Sequence, residues 1–228
     1  MKSIHLLKKL ERYPLFTEND VAKIINKSPE YVKTLLYRLN KQGFIKRIEK
    51  GKYTTYEDPV IFSTRIITPS YISLWTAFRF YNMTRQQPFG IFVVSPVSKK
   101  KLRFHSTEIM FFKSKHIFGY KKERYEDFDI FIAEKEKAII DALLFHLPLE
   151  EVSNALEDEE INFRRLAEYA KKTKNISLMK RLGYLLETKK ANSYGLKARD
   201  NNFIALDYNC PKKGKKEKNW RLIINTSA

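Results

Sequence analysis

Cysteine is all but missing from this sequence: Cys210 stands alone among 228 residues. That excludes an internal disulfide framework and fits a reducing compartment. Four scattered histidines leave nothing with metal-ligand spacing, so neither a metal nor another cofactor is expected. Glycine and proline are scarce, at 7 and 8, which argues against a long flexible linker or a low-complexity region. No apolar stretch approaches the ~20 residues needed to span a bilayer. The start, Met1-Lys2-Ser3-Ile4-His5, runs straight into a charged amphipathic pattern without the apolar core of a signal peptide. A soluble, cytoplasmic protein is the expectation.

Acidic residues are the next shortage. The chain has 44 Lys and Arg against 26 Asp and Glu, a formal net charge of +18. Such a charge repels itself unless a polyanion is near, and nucleic acid is the usual one. The alternative is a uniformly lysine-rich surface. Distribution helps to separate the two. Residues 1–58 hold thirteen basic and seven acidic residues, residues 59–187 twenty-one and sixteen, and residues 188–228 ten and three. The excess is densest at the two ends, whereas a uniform surface would spread it. Bulk charge does not separate DNA from RNA. The hydrophobic fraction of 43% marks a globular chain, and the length suits one large or two small domains.

What is present begins with three helices. Ile4, Leu7 and Leu10, with Leu6 beside them, give residues Ser3 to Tyr13 an amphipathic helical period, and Pro14 ends it. Thr17 with Asp20 three residues on forms a variant capping box that opens a helix over Glu18–Ile25, with Val21, Ile24 and Ile25 as its buried stripe. Asn26-Lys27 make a short turn. Ser28-Pro29 then pairs a capping residue with proline at the first helical position. The third helix, Pro29 to Gln42, buries Val32, Leu35, Leu36 and Leu39, and Gly43 stops it. Two β-rich runs, 44–49 and 52–56, flank Lys50-Gly51 as a hairpin.

Three helices, a short turn between the second and third, and a following hairpin make the plan of a DNA-binding winged helix-turn-helix. Residues 1–58 are therefore read as one domain and 59–228 as a second, larger one. The candidate DNA-binding residues are Ser28, Glu30, Tyr31, Lys33, Thr34, Tyr37, Arg38 and Lys41 on the third helix, with Lys50 and Lys52 at the hairpin tip. These side chains reach base edges, stack, or neutralise phosphates. The same pattern also serves protein-interaction winged helices, in which the charges are simply solvated.

Beyond Asp58-Pro59, residues 60–68 read as extended and Tyr71 to Tyr81 as a helix with Leu74, Trp75, Phe78 and Tyr81 on its apolar stripe. Strands are expected at 91–94, 102–104, 108–112 and 128–132. Helices follow at Ala133–Phe145, Leu149–Leu156, Phe163–Lys172 and Ile176–Leu186, and two closing strands at 203–208 and 220–224. Strands, then helices, then strands predict an α+β domain rather than a doubly wound sheet.

The stretches "SYISLWTAFRFYNMTRQQP", "FDIFIAEKEKAIIDALLF" and "SLMKRLGYLLE" resemble the C-terminal domain of AbiEi-type antitoxins of the abortive-infection family, and the final "NWRLIIN" is similar to that family's closing strand. The resemblance covers nearly the whole chain in the right order. It implies an antitoxin of a type IV toxin–antitoxin pair, with an N-terminal winged helix. Such a protein binds inverted repeats in its own double-stranded promoter DNA as an autorepressor. It counteracts a nucleotidyltransferase toxin without a stable complex, through the C-terminal domain. The chain departs from typical members in its heavy lysine loading.

Within the matching stretches, Lys137 and Asp141 stand four apart and read as a helix-surface bridge. A catalytic role for Glu136 or Asp141 would need a His, Ser or metal cluster that the sequence does not supply. Ser70 or Ser73 suits a helix cap and Trp75 a core. Gly183 lies mid-helix at a cost of ~1 kcal/mol, which points to close packing. Two basic runs, Lys99-Lys100-Lys101 with Arg103 and the loop residues Lys212, Lys213, Lys215, Lys216 and Lys218, are open to two readings: additional phosphate contacts or solvated loops. Two other functions stay in view. One is a general winged-helix regulator whose C-terminal domain senses a ligand; the other is a nucleic-acid-processing enzyme.

Overall fold

The computed structural model describes residues 3–225. The elements up to residue 54 are α1 (Ser3–Leu10), β1 (Phe16–Thr17), α2 (Glu18–Ile25), α3 (Pro29–Lys41), β2 (Lys46–Glu49) and β3 (Lys52–Thr54). Next come α4 (Val60–Ser63), β4 (Tyr71–Ile72), α5 (Leu74–Phe80), β5 (Gly90–Ser95), β6 (Leu102–Phe104), β7 (Thr107–Lys113), β8 (Tyr120–Tyr125) and β9 (Phe128–Ala133). The remainder holds α6 (Lys135–Leu144), α7 (Leu149–Ala155), α8 (Phe163–Thr173), α9 (Ile176–Thr188), β10 (Ile204–Ala205), β11 (Lys215–Glu217) and β12 (Leu222–Ile224). The protein is of mixed α+β class. Its contacts divide it into two units: the chain up to Ile72 with Phe89–Ile117 and Lys122–Phe131, and Ser73–Pro88 with Phe118–Lys121 and everything from Ile132 onward.

In the first unit, α1, α2, α3 and a three-stranded antiparallel sheet of order β1-β3-β2 close around a core of their own. Leu6, Leu10, Phe16, Val21, Val32, Leu36, Leu39, Ile45 and Tyr53 form it, with Leu7, Ala22, Ile24, Ile25 and Leu35 packed against it. Local chemistry sets the helix limits. Thr17 accepts the Asp20 amide while the Asp20 carboxylate accepts from the Thr17 amide, the expected reciprocal capping box. Ser28 accepts from the Tyr31 amide with Pro29 behind it. One helix-face expectation is overturned: Ile4 is 69% exposed, while Leu6 and Leu10 belong to the core. Helix α1 ends at Leu10, before the expected limit.

The rest of this unit is mainly a six-stranded sheet of order β6-β7-β5-β4-β9-β8. Strand β5 pairs in parallel with β7 and antiparallel with β4, and all six of its residues are buried, as its unbroken apolar run requires. Residues 60–68 are not extended as their β-branched composition suggests. Asp58 Oδ1 accepts the Val60 amide at 2.9 Å and starts the short helix α4, which buries Ile61, Phe62 and Ser63. Likewise Tyr71 and Ile72 form a strand, and the expected helix begins only at Leu74. Strand β8 carries Lys121, Lys122, Glu123 and Arg124 at the sheet edge, where the missing apolar alternation leaves it no sequence signal.

In the second unit α6 packs against α5, α7, α8 and α9. Its residues Glu136 to Leu143 are all buried. A three-stranded sheet of order β10-β12-β11 completes the unit. The segment expected as a lysine-rich loop is therefore partly strand β11, hydrogen-bonded antiparallel to β12. Gly183 on α9 faces the Trp220 ring so closely that an added Cβ would lie 2.1 Å from it. Trp220 is 4% exposed, so a methyl group here forces the indole or the helix to move. We expect Gly183→Ala to lose about 1–3 kcal/mol through overpacking despite its better helix propensity. A thermal melt checks this; an unchanged or raised Tm would show that the ring shifts freely.

Candidate nucleic-acid interface

The short turn Asn26-Lys27-Ser28 joins α2 to α3, with Asn26 in the left-handed conformation at φ 52° that asparagine tolerates better than most residues. Capping and core packing then fix α3. Val32, Leu36 and Leu39 are buried, so the 3.6-residue period turns Glu30, Tyr31, Lys33, Thr34, Tyr37, Arg38 and Lys41 outward, and all seven are exposed. Tyr31 and Tyr37 are 53% and 65% exposed. Glu30, Tyr31, Thr34, Leu35 and Arg38 line a shallow hollow on this face. The Ser28 hydroxyl is engaged in its cap, and the Thr34 hydroxyl donates to the Glu30 carbonyl at 3.1 Å.

At its C-terminal end α3 is tied directly to the hairpin. Gly43 takes a φ of +80°, which a side chain would oppose. The Arg47 amide donates to Asn40 Oδ1 at 3.1 Å, and Lys46 Nζ donates to the Gly43 carbonyl at 3.0 Å. Residues Glu49 and Lys52 pair across the two-residue Lys50-Gly51 turn, so Lys50 stands exposed at the tip.

Carboxylates sort the cations around this face. Lys52 is held by Glu49 at 3.0 Å and donates to the Ile66 carbonyl at 2.7 Å. Lys99 is bound to the same Glu49 at 2.6 Å. Burial would raise the Glu49 carboxyl, but hydrogen bonds from Lys99 and Lys52 outweigh it and hold the group below its ordinary value. Lys101 pairs with Glu108 at 2.7 Å, and Arg103 donates to the His105 carbonyl. Among the described residues, Lys33, Arg38, Lys41, Lys50 and Lys100 enter no ion pair. The proposed set thus separates into free cations on α3, at the tip and at Lys100, and cations engaged in internal bonds at Lys52, Lys99 and Lys101. Arg47 was missed. Its neighbour Ile48 is buried, and strand alternation turns Arg47 outward, where its Nε donates to the Glu49 carbonyl at 3.3 Å.

In the second unit, the residues considered for catalysis sit inside the protein. Lys137 and Asp141 form an ion pair with neither side chain exposed, so the expected surface bridge is an interior one. Helix α6 is buried along Glu136–Leu143, and a charge pair four residues apart on it has no solvent face to occupy. Ser73 precedes α5 but makes no cap bond. Its hydroxyl donates instead to Asp141 Oδ2 at 2.9 Å. Burial pushes the Lys137 ammonium below its ordinary pKa, opposed by the Asp141 charge. Glu136 accepts the Asn162 amide at 2.9 Å. Trp75 is half-buried, not fully in the core. Among the described residues no group of three or more His, Cys, Asp or Glu is placed to hold a metal ion, and no helix is long and apolar enough to cross a membrane.

These assignments separate by mutation. Lys52→Ala should lower stability by about 1 kcal/mol, because it strips a charged hydrogen bond from a carbonyl, whereas Lys50→Ala should leave the Tm unchanged. Asp141→Asn should cost about 3–5 kcal/mol by leaving a buried ammonium unpaired, measured by denaturant unfolding; a loss near zero would place the pair in water. Compared with known proteins, the chain matches no family model and no curated protein.

Proposed function

We propose that this chain is a DNA-binding transcriptional regulator, with α3 as the recognition helix of a winged helix-turn-helix and the β2–β3 hairpin as its wing. The observation that carries the reading is the division of α3: one face sealed into its own core, the other presenting Lys33, Arg38 and Lys41 without internal partners beside exposed Tyr31 and Tyr37. A rigid helix with that face suits the major groove, where arginine reads guanine and lysines neutralise phosphates. Lys50 at the hairpin tip suits the adjoining backbone. Binding of this kind represses by occupancy, excluding RNA polymerase from the promoter.

The sequence resemblance extends the proposal. The regulator is an AbiEi-like antitoxin that represses its own operon, binds inverted repeats upstream of it, and counteracts a nucleotidyltransferase toxin through its larger C-terminal region without a stable complex.

Gel-shift titration of the chain's own upstream DNA tests the first part. We expect a shift at nanomolar protein and at least a roughly ten-fold loss in Lys33→Ala/Arg38→Ala, since a good base-reading pair contributes about 1–3 kcal/mol and a phosphate contact is lost beside it. Unchanged binding by this double variant overturns α3 as the reading helix. Co-expression with a nucleotidyltransferase toxin tests the second part: the unaltered chain and the same variant should both rescue growth. Absence of rescue by the unaltered chain overturns the antitoxin reading, and loss of rescue in the variant alone would tie neutralisation to DNA binding.

A further inference from the structure

We infer that the second unit carries its own nucleic-acid-binding surface, built on β11 and the segment before it, which grips the phosphate backbone without reading sequence. Lys212, Lys213, Lys215, Lys216 and Lys218 are all exposed within seven consecutive positions. Strand β11 is an outer strand of the sheet β10-β12-β11, paired to β12 from Lys215↔Ile224 to Glu217↔Leu222. Lys215 and Lys216 therefore stand on a hydrogen-bonded strand, where less entropy is lost when they meet a ligand, and Lys212, Lys213 and Lys218 flank it.

The carboxylates of this region are already engaged. Glu217, the one acid inside the run, accepts the Asn219 amide at 2.8 Å through Oε1 and the Trp220 amide at 2.7 Å through Oε2. Asp207 accepts the Asn209 amide at 2.8 Å and the Cys210 thiol at 3.4 Å. Asp200 is bound by the buried Lys180 at 2.5 Å, and that ammonium, with the Asn202 amide, holds its carboxyl below the ordinary value. Each acid closes a turn or answers an interior cation. Among the described residues, none of the five lysines enters an ion pair. Lys216 Nζ lies 5.1 Å from the centre of the Phe203 ring, with the Arg221 guanidinium 5.6 Å from the same centre. The ring gathers two cations at one place on the sheet.

A dense cluster of cations, with the carboxylates of Glu217, Asp207 and Asp200 already engaged, has the charge to displace counterions from a nucleic-acid backbone. It offers few hydrogen-bond acceptors toward bases, which is why the predicted binding is indifferent to sequence. Lysines on an outer strand also guard against edge-to-edge pairing, and anionic membranes attract the same charges; the experiment separates these.

The full chain is titrated against a fluorescent 30-base-pair duplex of arbitrary sequence at several salt concentrations. Changing all five lysines to glutamine should weaken binding at least ten-fold and flatten the log–log salt dependence by about three or more, at roughly 0.9 per phosphate lost. Changing them to arginine should preserve both. In the unaltered chain, duplex should protect these lysines from acetylation, read by mass spectrometry, so the inference is tested even if the glutamine variant folds poorly. Unprotected lysines, or an unaltered salt slope, overturn it. So does aggregation of the glutamine variant with undiminished affinity in its monomeric fraction, which would make the lysines edge guards. Tighter binding to phosphatidylserine vesicles than to duplex would assign the surface to membranes. Lys33→Ala/Arg38→Ala should leave the acetylation protection intact, so this surface and α3 stand or fall separately.

Discussion

A chain with 44 cations and 26 carboxylates is governed by where its few acids are placed. Glu49 draws in Lys52 and Lys99, Glu57 pairs with Lys46 and His105, and Glu108 pairs with Lys101. In the second unit, Asp141 neutralises the interior Lys137 and Asp200 the interior Lys180. Others serve the backbone, as Asp20 does in the α2 cap and Glu217 in the turn before Trp220. The excess positive charge therefore does not lie evenly over the surface. Among the described residues Lys33, Arg38 and Lys41 on α3 and the five lysines in and beside β11 enter no ion pair, and self-repulsion within each group is relieved most directly by a polyanion.

The two concentrations are presented differently. Helix α3 is set by an unbroken series of local devices: the Asn26 turn, the Ser28 cap with Pro29, the apolar stripe, and Asn40 holding the Arg47 amide. Its side chains project from a firmly packed cylinder, as discrimination between bases requires. Strand β11 has three residues and one ladder neighbour. That anchors Lys215 and Lys216 with Lys212, Lys213 and Lys218 close by in the chain, and a local concentration of charge is what backbone neutralisation needs.

The interior charges obey a stricter rule. Helix α6 is enclosed along Glu136–Leu143, so each ionic group on it must find its partner inside the protein. Lys137 meets Asp141, Asp141 also accepts from Ser73, and Glu136 accepts the Asn162 amide. On α9, Arg181 donates to the Ala205 and Leu206 carbonyls beside the β10 strand. Polar groups of this kind fix which neighbouring segments meet, because a different packing would strand a charge.

By itself the sequence determined the elements whose signals are local. The Thr17 and Ser28 caps, the α2–α3 turn, the hairpin around Lys50-Gly51, the apolar run of β5 and the close packing at Gly183 each follow from a few neighbouring residues. The outward set on α3 follows from its period. Tertiary structure alone decided what depends on distant partners. Residues 60–63 became helical because the surrounding core buries Ile61, Phe62 and Ser63, against their β-branched preference. Lys137 and Asp141 went inside because four helices surround α6. Most consequential for the proposed interface, Lys50 and Lys52 look alike in sequence, yet only Lys52 meets Glu49 and the Ile66 carbonyl. Spacing along the chain names the cations; which of them remain available depends on where the fold brings the carboxylates.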